Sequence, residues 1–299
     1  MKWEDFRRSE NVEDRRSEGP EVGGGSPGGG GGLGIGTMIV LGILGYALGI
    51  DPRMLIGGAE MLSRVGGSAQ HQPAPQQNRG TTVPKDQMGQ FVSAILAENE
   101  DVWSEILPQQ KNIRYVKPRL VLYNGRTSSG CGKAQSAMGP FYCPSDQKVY
   151  LDTSFFADMQ KNFGGGGDFA YAYVIAHEIG HHIENQLGIL NKVQDAQQRA
   201  SSEAQANNLS VRLELMADCL AGVWAANANK KWQILQPGDI EKAMRSAEAI
   251  GDDRLQKKTQ GYAVPDSFTH GSSAQRQEWL QKGLSTGLID SCNTFSASR

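Results

Sequence analysis

The sequence predicts an α+β domain, residues 83–299, carried behind a single N-terminal transmembrane helix. Three observations predict it. An uncharged apolar run covers residues 32–50; two segments, 119–125 and 148–156, read as strands; and helical stretches follow them, among them 172–184 and 212–226. With 299 residues, 38% of them hydrophobic, the chain can bury one sizeable core plus appendages. A formal net charge of −2 gives no electrostatic case for nucleic acid.

Residues 1–31 mix charges of both signs and then become Gly-rich, which reads as a disordered, solvated head with too few apolar residues to bury. Trp3 and Phe6 are the residues a docking contact there would use. The run GLGIGTMIVLGILGYALGI, 32–50, carries no charge over 19 positions, close to the ~20 residues that cross a bilayer core. A cleaved signal peptide fits poorly, because the preceding region is long and acidic. Arg7, Arg8, Arg15 and Arg16 precede the run and Arg53 and Arg64 come after it, which points to an N-in orientation. Residues 51–82 form a polar linker, and His71 within it is a solvated residue, not a ligand.

In the domain, Asp86 is placed to cap a helix through FVSAILAENEDVWSEIL. RLVLYNG (119–125) and KVYLDTSFF (148–156) read as strands joined by a hairpin-like loop. Four cysteines without C-x-x-C spacing argue against a structural zinc site. An even count outside the cytoplasm favours two disulfides, Cys131 with Cys143 across a short loop and Cys219 with Cys292, against the alternative of buried thiols.

AYVIAHEIGHHIE, 172–184, organises the rest. Asp168 is a natural N-cap for this helix. Ile175, Ile179, Ile183 and Leu187 make an apolar stripe. His177 and His181, four apart, offer two imidazoles to one metal from a single face. Glu178 stands beside that face, where a carboxylate can take a proton from water held by the metal. Gly180 between the ligands admits a close neighbour, and His182 points round the helix as a flanking residue. Polar residues 188–210 read as a loop. In RLELMADCLAGVWAA, 212–226, Glu214 and Asp218 share a face with Ala221 and Ala225, which suits a helix packed closely on the first. Glu214 is the expected third ligand, and Asp218 the acceptor for a ligating histidine's free ring N–H. A further helix is expected within 234–256, starting near Pro237 to Asp239. His270, at the start of a helical stretch, is either an oxyanion donor or a capping residue, and Arg276 a helix-face salt bridge.

His177-Glu178-x-x-His181 followed by Glu214-Leu-Met-Ala-Asp218 resembles the gluzincin arrangement. The opening MKWEDFRRSENVEDRR, CPSDQKVYLD, GDFAYAYVIAHEIGHH, ELMADC and THGSSAQRQEWL resemble the bacterial neutral zinc metallopeptidase family of YpfJ type over nearly the full length. The resemblance implies a zincin-like domain, Zn²⁺ on His177, His181 and Glu214, a protein or peptide substrate, and an oxyanion role for His270. It also implies that KVYLD is an edge strand able to hold an extended peptide. The expected protein is an inner-membrane, single-pass metallopeptidase with its catalytic domain periplasmic or otherwise extracytoplasmic. Its rival is a non-enzymatic envelope scaffold in which zinc staples two helices, which requires a fourth protein ligand.

Overall fold

A computed structural model describes residues 1–18, 84–162 and 166–296. The apolar run 32–50 and the linker 51–82 with His71 lie outside the described residues. Among the described residues, no helix is long and apolar enough to cross a membrane.

The architecture is mixed α+β. Its main sheet contains β1 (Val12–Asp14), β2 (Arg119–Tyr123), β5 (Phe141–Cys143) and β6 (Lys148–Asp152) in the order β1-β2-β6-β5. The first three neighbours run parallel and β5 is antiparallel to β6. β3 (Arg126–Ser129) and β4 (Gly132–Gln135) make a separate hairpin. Strand alternation sorts the side chains. Leu120, Leu122, Val149 and Leu151 join the large helical core, while Val121, Tyr123 and Tyr150 pack with Phe141, Cys143 and Ala134 on the other face. β6 therefore lies inside the sheet, and the edge expected of KVYLD belongs to β5, because the intervening FYC segment folds back to pair with it.

The helices are α1 (Gln87–Lys111), α2 (Ser154–Asn162), α3 (Asp168–Gln186), α4 (Ile189–Gln198), α5 (Glu203–Trp232), α6 (Asp239–Ala249), α7 (Asp252–Gln260) and α8 (Ser273–Thr286). Asp86 caps α1 by accepting from the Gly89 N–H at 3.0 Å. The expected loop 188–210 is instead α4 and the first turns of α5. Only Val193 of α4 is buried, so this helix leaves almost no apolar period to detect. Both cysteine pairs are bonded: Cys131–Cys143, with Cα atoms 5.8 Å apart, clips the hairpin loop to β5, and Cys219–Cys292, at 5.4 Å, ties the C-terminal turn to α5.

The head is not a solvated tail over residues 1–18. Met1, Trp3, Ser9 and Val12 are buried, and β1 completes the sheet. Local composition misleads because the head's partners stand far along the chain. Trp3 packs edge-on against Phe91, and Arg7 pairs with Glu100 and Asp101. Arg7 is thus paired with the domain, and so is Arg16, through Asp86.

One core residue makes stability depend on pH. Glu98 is 1% exposed and neither carboxylate oxygen has a hydrogen-bond partner among the described residues. Burial, then the nearby Asp101 charge, pushes its pKa up from 4.5 to about 8. Between those values the folded state holds a proton that the unfolded state releases. Stability is therefore fully present at low pH and is lost as pH rises through about 8. Glu98→Gln removes the ionisation and should stabilise the protein at pH 8.5 by ~2–4 kcal/mol, with little effect at pH 4.5. Denaturant melts at the two pH values check this; an equal shift at both would assign the effect to packing instead.

Candidate metal centre

The site is built where α3 crosses α5. Gly167, with φ +102°, precedes α3 as its cap residue in place of Asp168, which is instead the first helical residue and accepts from Trp3 Nε1 at 3.0 Å. At Gly180 an added Cβ would lie 3.0 Å from both the Cα and the carbonyl oxygen of Ala217. The absent side chain is what lets the two helices approach. That approach brings the Glu214 carboxylate to the two histidines.

His177 Nε2 is 3.2 Å from Glu214 Oε2, and His181 Nε2 is 3.5 Å from Glu214 Oε1. One ligand atom from each of the three residues lies within 4.8 Å of the others. Both imidazoles are held from behind. His177 Nδ1 is 2.9 Å from Asp218 Oδ1, and His181 Nδ1 is 2.8 Å from Glu184 Oε2. A carboxylate at Nδ1 fixes the tautomer with its proton there and leaves the Nε2 lone pair facing inward. Two lone pairs then face a carboxylate, which is favourable only with a cation or protons between them. Glu214 Oε1 is buried and has no hydrogen-bond partner among the described residues. Two imidazoles and a carboxylate are a zinc donor set, so the residues fit that ion.

The electrostatics arise from the same contacts. Burial alone would raise the Glu214 carboxyl, but the charges of His270 and His181, with the close approach of both ligating histidines, hold it well below the usual range. Asp218 is likewise raised by burial and brought down to about 2 by Arg276 and His177. Arg276 is 1% exposed. Its Nε donates to Asp218 Oδ2 at 2.8 Å and its Nη2 to Oδ1 at 2.9 Å, while Tyr173 Oη donates to Oδ1 at 2.6 Å. The helix-face salt bridge expected of Arg276 is thus a buried clamp behind the first histidine. Nothing in α8 reveals this, since a lone arginine among polar residues reads as exterior.

Glu178 differs from its neighbours. Its residue is 6% exposed, and no described group hydrogen-bonds its carboxylate. Burial, only partly offset by His177 and His181, raises its pKa. His182 is turned away from the cluster: Nδ1 meets Tyr142 Oη at 2.9 Å and Nε2 meets the Val116 carbonyl at 2.6 Å, with burial holding its pKa down at about 4. It ties the β5 edge to α3.

His270 is fully covered. Its Nδ1 lies 3.0 Å from Thr269 Oγ1 and 3.3 Å from Asp252 Oδ1, and Asp252 Oδ2 also accepts the backbone N–H groups of residues 269, 270 and 271. A substrate carbonyl could reach the ring only after its neighbours shift, and the ring's charge acts on Glu214. Sequence reasoning missed Asp252, Tyr173 and Glu184. Of these only Glu184 left a signal, standing three residues after His181 on the same helix face.

Comparison with known proteins agrees with this geometry. A family model described as "Putative neutral zinc metallopeptidase" matches residues 1–295. The chain belongs to that family. It is 46% identical over 305 aligned residues, covering all of both chains, to a protein of Escherichia coli K12 named uncharacterized protein YpfJ. It is also 44% identical over 207 residues, 66% of this chain and 67% of the relative, to uncharacterized protein Rv2575 of Mycobacterium tuberculosis H37Rv. No solved structure matches the chain. Family membership accounts for the motif; Asp218 behind His177 is legible in the sequence, while Glu184 behind His181 comes from the geometry.

Proposed function

We propose that the protein is a zinc-dependent metallopeptidase of zincin-like design that hydrolyses peptide bonds in a protein or peptide substrate. The observation that carries the reading is the pair of inward Nε2 lone pairs set against the buried Glu214 carboxylate, each imidazole fixed from behind by a second acid. Zinc held by His177, His181 and Glu214 would supply Lewis acidity, bringing the pKa of a water in its open position to about 7.

The chain's own residues do the rest. Glu178, with no hydrogen-bond partner for its carboxylate among the described residues and a raised pKa, takes the proton of the attacking water and returns it to the leaving amine. Asp218 and Glu184 hold the imidazoles in register, and Arg276 keeps Asp218 ionised. Among the described residues β5 pairs only with β6, so its outer edge is where an extended substrate could add a strand. His270 tunes Glu214 in the resting protein; a role at the oxyanion requires the neighbouring loop to move. The scaffold reading needs a fourth protein ligand, and the described cluster supplies three. The two disulfides favour an oxidising, extracytoplasmic compartment.

The test is metal content together with digestion of a peptide library. The wild-type chain should hold one zinc, and Glu214→Ala should lose most of it. Glu184→Gln and Asp218→Asn should each weaken zinc binding by ~10–100-fold in a chelator competition. Full zinc occupancy in Glu214→Ala would overturn the ligand assignment.

A further inference from the structure

We infer that residues 1–18 and residues 84–296 lie on the same side of any membrane the chain meets, so that a bilayer is approached from one face and is not crossed once. The inference is independent of the zinc chemistry.

The head is a structural member of the domain. Its backbone is woven in at four places: Lys2 N–H to the Ile234 carbonyl at 2.9 Å, Ser9 N–H to Ser93 at 3.0 Å, Leu120 N–H to Asn11 at 2.9 Å, and Arg15 N–H to Leu122 at 2.8 Å. Val12, Glu13 and Asp14 lie in parallel register with Leu120, Val121 and Leu122. The charges are shared in the same way. Glu100 is 1% exposed, and the head supplies Arg7 Nη2 at 2.8 Å, Ser9 Oγ at 2.6 Å and Asn11 Nδ2 at 2.7 Å to its carboxylate. Conversely, buried Glu13 of the head takes Lys148 at 2.9 Å and Arg119 at 3.1 Å from the domain. Separating the two parts would strand two buried carboxylates without most of their partners, an arrangement that folded proteins do not sustain cheaply.

The chain between them also starts and finishes at one place. Arg16 Nη1 is 3.0 Å from Asp86 Oδ1 and Arg16 Nη2 donates to Oδ2, so positions 70 apart in sequence touch. Whatever happens between residues 18 and 84, the number of bilayer crossings is even. A pair of crossings needs a second uncharged apolar stretch of ~20 residues. Residues 51–83 contain Asp51, Arg53, Glu60, Arg64 and Arg79, and their longest uncharged run, 65–78, is rich in Gln, Gly and Pro. Sequence therefore provides for one apolar run and no return span. A lipid contact made through 32–50 is made from the domain's own side.

The experiment uses the full-length chain with one added cysteine, Glu10→Cys in the head or Glu278→Cys in α8, both at positions open to solvent and away from the site. Intact cells are treated with a membrane-impermeant maleimide, then the labelling is repeated after lysis. Both positions should behave alike. Labelling of both before lysis supports the inference and places the domain outside. Labelling of both only after lysis supports it equally while removing the extracytoplasmic placement. Labelling of one position before lysis and the other only afterwards overturns it. As a check on folding, each variant should keep wild-type protease resistance.

Discussion

Glu178→Gln should keep zinc, fold and thermal midpoint, and should lose peptide hydrolysis by at least ~10²–10⁴-fold, the range that general acid–base groups contribute. The expectation rests on what the carboxylate does not do in the resting protein. It is not one of the three residues of the candidate metal cluster, accepts no hydrogen bond from the described residues, and is 6% exposed. An amide matches its shape, so the helix has no reason to rearrange. The amide cannot accept a proton from water, so the reaction has no base. A library digest comparing wild type with Glu178→Gln, with zinc measured on the same samples, checks this. Equal cleavage by both would assign the activity to a contaminant. Activity lost together with zinc would show that Glu178 is structural and that the assignment of base is wrong.

Arg276→Met should be the most destabilising single change near the site, by ~3–5 kcal/mol, the cost of leaving a buried charge without its partner. Asp218 is fully buried, and Arg276 supplies two of the hydrogen bonds that hold it ionised. With the guanidinium gone, the Asp218 carboxyl is expected to gain a proton in the folded state. Its pKa of about 2 depends on Arg276 before His177. A protonated Asp218 competes poorly for the His177 Nδ1 proton, so zinc affinity should fall as well. The double variant Arg276→Met with Asp218→Asn should recover part of the stability, because the unpaired charge is then absent. Denaturant melts of the three variants measure the coupling. If the double variant is as unstable as the sum of the singles, the ion pair is not what holds α8 to α5.

The legible part of this protein is the part written in one helix at a time. His177 and His181 stand at i and i+4, and Glu214 stands on a helix with small residues along it, one of which, Ala217, meets Gly180 in close helix contact. Strands β2 and β6 are legible from their composition, and so is the spacing that pairs Cys131 with Cys143. What escapes depends on residues far apart. Arg276 reads as exterior because nothing local says that Asp218 waits for it. The head reads as disordered because Arg7 and Glu13 find partners about a hundred positions later, at Glu100, Asp101, Arg119 and Lys148. β5 is three residues long, too short for alternation to show, and so its neighbour β6 reads as the edge.

The placement of β1 also sets an order of events during synthesis. Val12 pairs with Leu120, so the first strand made has no partner until roughly a hundred more residues have been added. At 5–20 residues per second that is a wait of ~5–20 s, long beside the microseconds in which a hairpin closes. An apolar strand exposed for that time would invite aggregation. VED and its flanks, with Arg15, Arg16, Glu10 and Arg8 around a single buried valine, are soluble enough to wait. The mixed charge that imitates a tail is what a strand needs when it is born long before the sheet it closes.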